Sequence, residues 1–417
     1  MQAIEIRETG GPDVLDYVTR AAREPGRGEL LVELAAAGVN FIDLYRREGR
    51  YPMPLPGTPG EEGAGRVLAV GPDVTRFKPG DRVAWTTVMG SYATRVVVPE
   101  DKAIAVPDGI DLRTAAAALV QGMTAHYLVN DSYRAREGDV VLVHAAAGGV
   151  GLLLTQWLKR RGVRVIGTVS TAGKAALARS NGADDVVLHG AFDDLAAEVR
   201  RLTDGRGVHA VYDGIGAATF DASLASLRTR GTLVIFGGAS GPVPPVDVMR
   251  LLWGGSLTLT RPYLEHFRAS VDEFLWRAGA VFDGILDGSL KIRIGGAYPL
   301  AELRGRMAGA ASNIVTPAAR AADERRIAWL EQGRHDRVID AMPEFLRFAP
   351  EANFGHYLMM AGALGARACA ARARRFSEYE NGIGTGHVHL WFSPADGGWA
   401  RAETHNERRT ETDAASA

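Results

Sequence analysis

Cysteine is nearly absent from this chain: Cys369 stands alone among 417 residues. One thiol excludes an intramolecular disulfide and any Cys-rich zinc site, and it suits a reducing compartment. A surplus of one charge is missing too. Lys and Arg number 48 against 49 Asp and Glu, a formal net charge of -1. No field of one sign therefore argues for nucleic acid or an anionic membrane as partner. No uninterrupted apolar run is long enough to span a bilayer. The first residues, Met1-Gln2-Ala3-Ile4-Glu5-Ile6-Arg7, alternate like a strand and carry acids early, unlike a signal peptide. A cytoplasmic location is expected. The composition that remains, 46% apolar and 23% charged, is that of a soluble globular protein. The length suggests two or three domains, and no internal repeat is visible.

What is present in quantity is glycine, and it is concentrated informatively. The run His144-Ala145-Ala146-Ala147-Gly148-Gly149-Val150-Gly151 follows an apolar stretch, Val140 to Val143, and precedes Leu152 to Leu158, which reads as a helix. Strand, small-residue turn and helix in that order make a dinucleotide-phosphate site. Small residues let the backbone approach a diphosphate, and the helix start offers free N–H groups. Against the G-x-G-x-x-G pattern, Gly148 and Gly151 fill the second and third positions and Ala146 replaces the first. The bland alternative is a tight turn that binds nothing.

The second strand, Arg164 to Val169, sharpens the cofactor. An NAD-preferring site places Asp or Glu at its end to bond the ribose 2′-hydroxyl. Here Ser170, Thr171, Ala172, Gly173 and Lys174 follow. No carboxylate repels a phosphate, and a hydroxyl and an ammonium can hold the 2′-phosphate of NADPH. Lys174 also fits an ordinary solvated residue in a first helical turn.

The chain before about Thr114 shows short strands (Glu29–Leu34, Gly65–Val70, Asp81–Trp85) punctuated by Gly71-Pro72 and Pro79-Gly80. That pattern predicts a small barrel-like β domain. Afterwards strands and helices alternate. Val208–Asp213 and Thr232–Phe236 read as buried parallel strands, with a helix predicted over Ala217–Arg230 between them. This is the rhythm of an α/β doubly wound sheet.

Several motifs occur together: Gly10-Gly11-Pro12-Asp13-Val14-Leu15, Asn40-Phe41-Ile42-Asp43-Leu44-Tyr45, Gly80-Asp81-Arg82-Val83, the Ala/Gly-rich turn, Gly167-Thr168-Val169 and Arg261-Pro262-Tyr263-Leu264. On these, residues 1 to about 303 resemble the quinone oxidoreductase branch of the medium-chain dehydrogenase/reductase superfamily. The resemblance implies a GroES-like catalytic domain (1–125), a Rossmann domain (126–261), a return to the catalytic domain (262–303), NADPH as cofactor, a quinone substrate and a homodimer formed through the Rossmann sheet. It places Asn40 at the nicotinamide end, and Thr124, Phe236, Gly237 and Arg261 among the cofactor contacts. His189 stands where family members commonly have a Tyr against the adenosine phosphate. A protonated imidazole can still pair with phosphate there.

Zinc-dependent alcohol dehydrogenases share this layout and hold zinc with a Cys and a His. This chain has Asn40 and Glu61 at those places and lacks the Cys-rich structural loop, so no catalytic zinc of that kind is expected. Glu61 and Glu62 then read as structural or solvated acids. A quinone is already electrophilic, so its reduction needs mainly positioning and hydrogen-bond donors. Tyr45 can donate its phenol proton to a reduced carbonyl oxygen, and Tyr51 is a second candidate for the pocket wall. A half-buried ring with a satisfied hydroxyl fits each Tyr equally. Asp43 is expected to orient its neighbours, and His126 to pack.

The family ending departs at Leu303-Arg304-Gly305-Arg306-Met307. A basic phosphate contact and a final strand of the catalytic domain are therefore expected to be missing, leaving a sheet edge unpaired. In the tail, 304–417, helices are predicted over Ala318–Leu346 and Phe354–Arg375, a flexible turn over Asn381–Gly386, a strand over His387–Phe392, and disorder from about Gly397. Trp329-Leu330, Tyr357–Leu364 and Tyr379–Thr385 resemble the C-terminal part of a class III extradiol dioxygenase of the protocatechuate 4,5-dioxygenase type. That likeness suggests a fusion without the iron-binding segment. The predicted strand carries His387 and His389 on one side, where a solvated edge outweighs a metal site. It is expected to pair with the orphan edge. Three alternatives to a quinone reductase stay open: an alkenal or enone reductase, an inactive dinucleotide-binding scaffold, and a dioxygenase-related subunit.

Overall fold

Parallel and antiparallel ladders divide the work in this molecule. The computed structural model describes residues 1–188 and 195–303, scattered residues between 325 and 337, and four short strands between 372 and 393. Residues 1–10 and 16–300 form one unit; 11–15 and 301–417 form a second.

In the first unit, strands β1 (Gln2–Glu5) and β2 (Asp16–Thr19) make a two-stranded ladder. Strands β3 (Glu29–Gly38), β4 (Glu62–Val70), β5 (Arg82–Thr86), β6 (Arg95–Pro99) and β7 (Ala103–Ala105) make an antiparallel sheet in the order β6-β3-β4-β5-β7. Alternation buries Leu30, Val32, Val67, Val83, Trp85, Val96 and Val98 on one side as a core. The Trp85 indole donates to Ser91 Oγ at 2.9 Å, so this largest side chain carries no unsatisfied donor. The sheet is open, with β6 and β7 as its edges. Among the described residues no strand after residue 261 joins it. Helices α1 (Phe41–Arg47), α2 (Leu112–Ala116) and α3 (Leu119–Tyr127) complete this part.

The following chain winds a six-stranded, all-parallel sheet. Its strands are β8 (Val140–Val143), β9 (Arg164–Val169), β10 (Asp185–Leu188), β11 (Val208–Asp213), β12 (Leu227–Ile235) and β13 (Thr258–Thr260), ordered β10-β9-β8-β11-β12-β13. The helices are α4 (Gly149–Arg160), α5 (Ala172–Ser180), α6 (Leu195–Leu202), α7 (Phe220–Ser226), α8 (Met249–Trp253) and α9 (Val271–Leu286). Central strands are buried along nearly their whole length, as helices on both faces require. The winding order reverses between β8 and β11, which opens a crevice at their carboxyl ends. Here fold and expectation agree: a GroES-like part joined to a doubly wound Rossmann sheet.

One helix is shorter than predicted. It stops at Ser226, and Leu227 already pairs with Val208 as the first residue of β12. Leu224 and Leu227 are both buried at helical spacing, which disguised the switch. Arg228, Thr229 and Arg230 then lie exposed, Arg230 with φ +62° and its N–H donated to Gly255 O at 2.7 Å.

In the second unit, Arg372–Arg375 is a strand paired antiparallel with Leu390–Ser393, so the helix predicted to Arg375 does not reach its end. Glu380–Gly382 pairs with Thr385–His387, so the predicted turn is mostly ladder. The expected single strand over His387–Phe392 is two segments, 385–387 and 390–393, and their partners are these tail strands rather than a catalytic-domain edge. The predicted helix over 318–346 is helical at Arg325, Ala328, Trp329 and Arg337, is interrupted by a turn at Gln332 and by non-helical Arg334, and otherwise lies outside the described residues, as do His389 and the end from Gly397. No helix among the described residues is long and apolar enough to cross a membrane.

Candidate cofactor and substrate site

The turn after β8 is built by backbone contact. Ala145 adopts φ +49°, and its carbonyl accepts from Gly148 N at 2.8 Å. A Cβ on Gly151 would stand 2.3 Å from Ala145 O and 2.9 Å from Ala146 Cα, so only glycine lets α4 sit so close. Ala146 N donates to Thr168 O at 3.1 Å, and a Cβ on Gly167 would meet the Ala146 methyl at 2.7 Å. The first α4 hydrogen bond runs from Leu152 N to Gly148 O at 2.9 Å. The N–H groups of Gly149, Val150 and Gly151 therefore remain open at the helix start, together with its partial positive charge. These features fit a diphosphate. Gln121 of α3 lies against Gly149, where a Cβ would meet its amide within 2.8 Å. Thr124, one turn further along α3, is buried.

Beyond β9, the Lys174 ammonium donates to Ser170 Oγ at 3.2 Å. The Thr171 hydroxyl caps α5 by accepting from Lys174 N. The capping geometry is what brings hydroxyl and ammonium together at the strand's end. His189 lies outside the described residues.

A network that sequence reading missed fixes these loops. The His144 ring meets Thr168 Oγ1 at 3.0 Å and Ser223 Oγ at 2.9 Å. Asp213, fully buried, accepts from Ser223 Oγ, Thr219 Oγ1 and the N–H groups of Ile215 and Gly216, at 2.7 to 3.0 Å. Ser223 stands between His144 and Asp213, so this is a strap across β8, β9, β11 and α7 rather than a nucleophile with its base. The Gly-Ile-Gly after Asp213 was the available signal.

A cleft of about 780 Å³ opens over the ends of β12 and β13. It brings together Tyr45, Tyr51, Gly237 and Arg261 from the expected set and adds Arg50, Gly238 and an apolar wall including Pro242, Val243 and Leu259. Phe236 abuts Gly214, and a Cβ on Gly237 would stand 2.3 Å from Gly214 O, so the loops after β11 and β12 touch. Tyr45 and Tyr51 stack with centroids 5.8 Å apart. Gly238 N donates to Tyr45 Oη at 3.2 Å, and no acceptor for the phenol's own proton exists among the described residues. Burial raises the Tyr45 pKa, so the phenol stays protonated at neutral pH. Asn40, Thr124 and the turn residues lie outside this lining.

Asn40 precedes α1 and rests on acids. Its backbone N–H donates to Asp43 Oδ2 at 2.9 Å and its amide to Glu62 Oε2 at 2.8 Å. Asp43 also accepts from Tyr92 Oη at 2.7 Å, and Glu62 from Val120 N at 2.8 Å. Burial pushes both carboxyls up to about 7, against these donors. Asp43 thus orients its neighbours as expected. Glu61 is ion-paired with Arg46. Both glutamates are buried, which corrects the solvated reading and leaves the structural one. His126 packs edge-on against Trp157 and Trp276, and burial followed by the Arg277 guanidinium lowers its pKa to about 4.

Comparison with known proteins follows this geometry. Residues 26–108 match the family described as alcohol dehydrogenase GroES-like domain, and 149–276 the family described as zinc-binding dehydrogenase. A quinone oxidoreductase of Pseudomonas aeruginosa is 45% identical over 301 residues, 72% of this chain and 92% of that protein. A 2-haloacrylate reductase of a Burkholderia species is 38% identical, covering 72% and 93%. A mycobacterial structure solved with NADPH is 52% identical, with a TM-score of 0.71, covering 73% of this chain and 97% of that one. Over about 72% of its length, the chain belongs to the quinone oxidoreductase branch of the medium-chain dehydrogenase/reductase superfamily.

Proposed function

We propose that the protein is a zinc-independent NADPH:quinone oxidoreductase acting on a quinone or related conjugated carbonyl. The observation that carries this reading is the start of α4, where open N–H groups face a turn that only glycine at 151 permits. Gly148, Gly149, Val150 and Gly151, with Ala146 beneath, bind the diphosphate. Ser170 and Lys174 hold the 2′-phosphate, and the family pattern alone assigns His189 to the adenosine phosphate. Asn40, Thr124, Phe236, Gly237 and Arg261 shape the nicotinamide end. NADPH supplies the hydride when bound. Tyr45 delivers the balancing proton from its phenol to the acceptor oxygen, and Tyr51 extends the flat wall against which a planar acceptor lies. Of the acids near Asn40, Glu61 is paired with Arg46 and Glu62 holds the Asn40 amide and Val120 N–H, which is a structural use of the position where zinc-holding relatives place a ligand.

We divide the chain as 1–125 catalytic, 126–261 nucleotide-binding and 262–303 returning. The tail 304–417 is an appended piece, on its likeness to the ring-cleavage dioxygenases. A second reading, reduction of an activated carbon–carbon double bond, is favoured by the haloacrylate-reducing relative. We also read the protein as a homodimer. Edge strand β13 is paired on one side only, and beside it α8 exposes Leu252 and Trp253, the latter 79% accessible. Sedimentation should give twice the chain mass for the parent and a lighter species for Trp253→Glu.

The direct test is NADPH oxidation by the full chain with a panel of quinones and enones. Lys174→Glu should lower kcat/KM for NADPH roughly tenfold or more while sparing NADH, because it replaces a charge-assisted phosphate bond by repulsion. Tight NADPH binding without turnover of any acceptor would reduce the protein to a nucleotide-binding scaffold.

A further inference from the structure

We propose that the acceptor cleft selects conjugated carbonyl compounds bearing a permanent anionic substituent, a carboxylate or sulfonate, held by Arg50 and Arg261. The inference rests on the reductase reading and narrows its substrate class.

Among the described residues only two charged ones line the cleft, and both are arginines; no described Asp or Glu lines it. Arg50 shares one ion pair, Nε to Glu48 Oε2 at 3.0 Å, and its Nη1 reaches Gly238 O at a long 3.4 Å. Arg261 has no carboxylate partner among the described residues. Its Nη1 reaches Ile235 O at 3.2 Å and Pro262 O at 3.4 Å, and its Nη2 reaches Tyr51 Oη at 3.4 Å. Charge-assisted bonds to carboxylates run shorter, about 2.7 to 2.9 Å. A guanidinium holding only long bonds to neutral oxygens keeps donors and a full charge available for an anion. The surrounding wall of Ile235, Pro242, Val243, Pro244, Val246 and Leu259 is apolar, so an ion pair formed there is screened less than one on the surface.

The cofactor's phosphates are the obvious competitor for this charge, and the topology sets them apart. Their cradle follows β8, and Ser170 and Lys174 follow β9, whereas Arg261 follows β13. In the order β8-β11-β12-β13 that is three ladder steps, roughly 14 Å. None of residues 145–151, Ser170 or Lys174 lines the cleft. The guanidiniums instead attach to the aromatic wall: Arg50 lies 5.4 Å from the Tyr45 ring centroid, and Arg261 meets the Tyr51 hydroxyl. The two rings stack 20° from parallel. A flat acceptor on that wall presents its edge substituents to both cations. The Gly238 peptide ties the set together, donating its N–H to Tyr45 and accepting from Arg50.

The experiment uses the full chain at saturating NADPH with 1,2-naphthoquinone and its 4-sulfonate. A ratio of kcat/KM values, sulfonate over parent, that falls roughly tenfold in Arg50→Gln and in Arg261→Gln supports the proposal. The wild-type ratio should also shrink at high salt. A readout without turnover accompanies it: calorimetric binding of naphthalene-2-sulfonate should exceed that of 2-naphthol and weaken in both variants. Equal losses for both quinones would mean that the arginines serve the oxygen charge common to all acceptors, and would overturn the proposal with the reductase intact. A matching loss of NADPH affinity in Arg50→Gln would overturn it by giving that residue to the cofactor; Arg261 also shapes the nicotinamide end, so for Arg261→Gln the ratio at saturating NADPH decides, and an unchanged ratio would overturn the proposal. If no acceptor oxidises NADPH, the reductase reading fails, and the binding comparison still decides for or against an anion-selective cleft.

Discussion

Gly151→Val should abolish measurable NADPH binding, a loss of more than roughly a hundredfold, and destabilise the protein by about 1–3 kcal/mol. The new Cβ lands 2.3 Å from one backbone oxygen and 2.9 Å from a backbone Cα, neither of which can swing aside as a side chain would. Relief requires α4 to retreat from β8, which carries the open N–H groups of Gly149 and Val150 away from the crevice. Gly148→Val makes the informative partner. Its Cβ stands 3.1 Å from Ala145 O, and its φ of -80° suits any residue. The fold should survive that change while the valine side chain obstructs the approach of a diphosphate. Fluorescence titration with NADPH and chemical denaturation separate the two effects. Wild-type affinity in Gly151→Val would remove the foundation of the nucleotide reading.

The Rossmann half was legible because its signals are local and redundant. Val140–Val143, the glycines and Leu152–Leu158 each name an element, and their order names the site. The switch at Leu227 was not legible, because buried Leu224 and Leu227 satisfy a helical period while pairing with Val208, nineteen positions upstream, decides the outcome. Likewise Arg372–Arg375 carries helix-compatible residues and is a strand only through its partner at 390–393. Ladders between distant segments are chosen by tertiary context, which single-segment pattern does not contain.

Among site residues, those on one short segment were found and those assembled from several were not. Asn40, Asp43 and Tyr45 share the start of α1, and the motif announced them. Arg50 reads as an ordinary surface cation, and only its approach to Gly238, 188 positions away, reveals it. His144 follows β8, and Ser223 and Asp213 come from α7 and β11, so their bonds exist only once the sheet is wound. Asn40 and Tyr45, the two ends of one six-residue motif, part in the fold: the tyrosine lines the cleft and the asparagine turns its amide to Glu62.

The stability of the wild-type protein should fall as pH rises from about 4 to about 7, by on the order of 3 kcal/mol at most for each of two groups. Asp43 and Glu62 are fully buried, and burial lifts both from the ordinary carboxylate range to about 7. Their hydrogen-bond donors, Tyr92 and the Asn40 N–H for one, the Asn40 amide and Val120 N–H for the other, pull the opposite way without winning. Glu61 adds repulsion at Asp43, and Arg46 offsets part of it. A raised native pKa means that the folded state holds the proton more tightly than the unfolded chain. The stabilisation is thus complete below the unfolded pKa and lost as pH climbs through the native one. Exposed acids paired with arginine, such as Glu29 and Glu198, have lowered values and act in the opposite sense, but at lower pH and through screened bonds of small worth. Asp43→Asn combined with Glu62→Gln should therefore flatten the profile and leave the variant relatively more stable at pH 8 than at pH 5. Both substitutions keep the acceptors that Tyr92 and Val120 require, whereas Glu62→Ala strands two part-buried donors and should destabilise at every pH. Urea midpoints across pH 5 to 8 measure the effect. A wild-type profile that rises over this window would mean that both carboxylates are ionised in the folded protein and that their donors, not their burial, set their state.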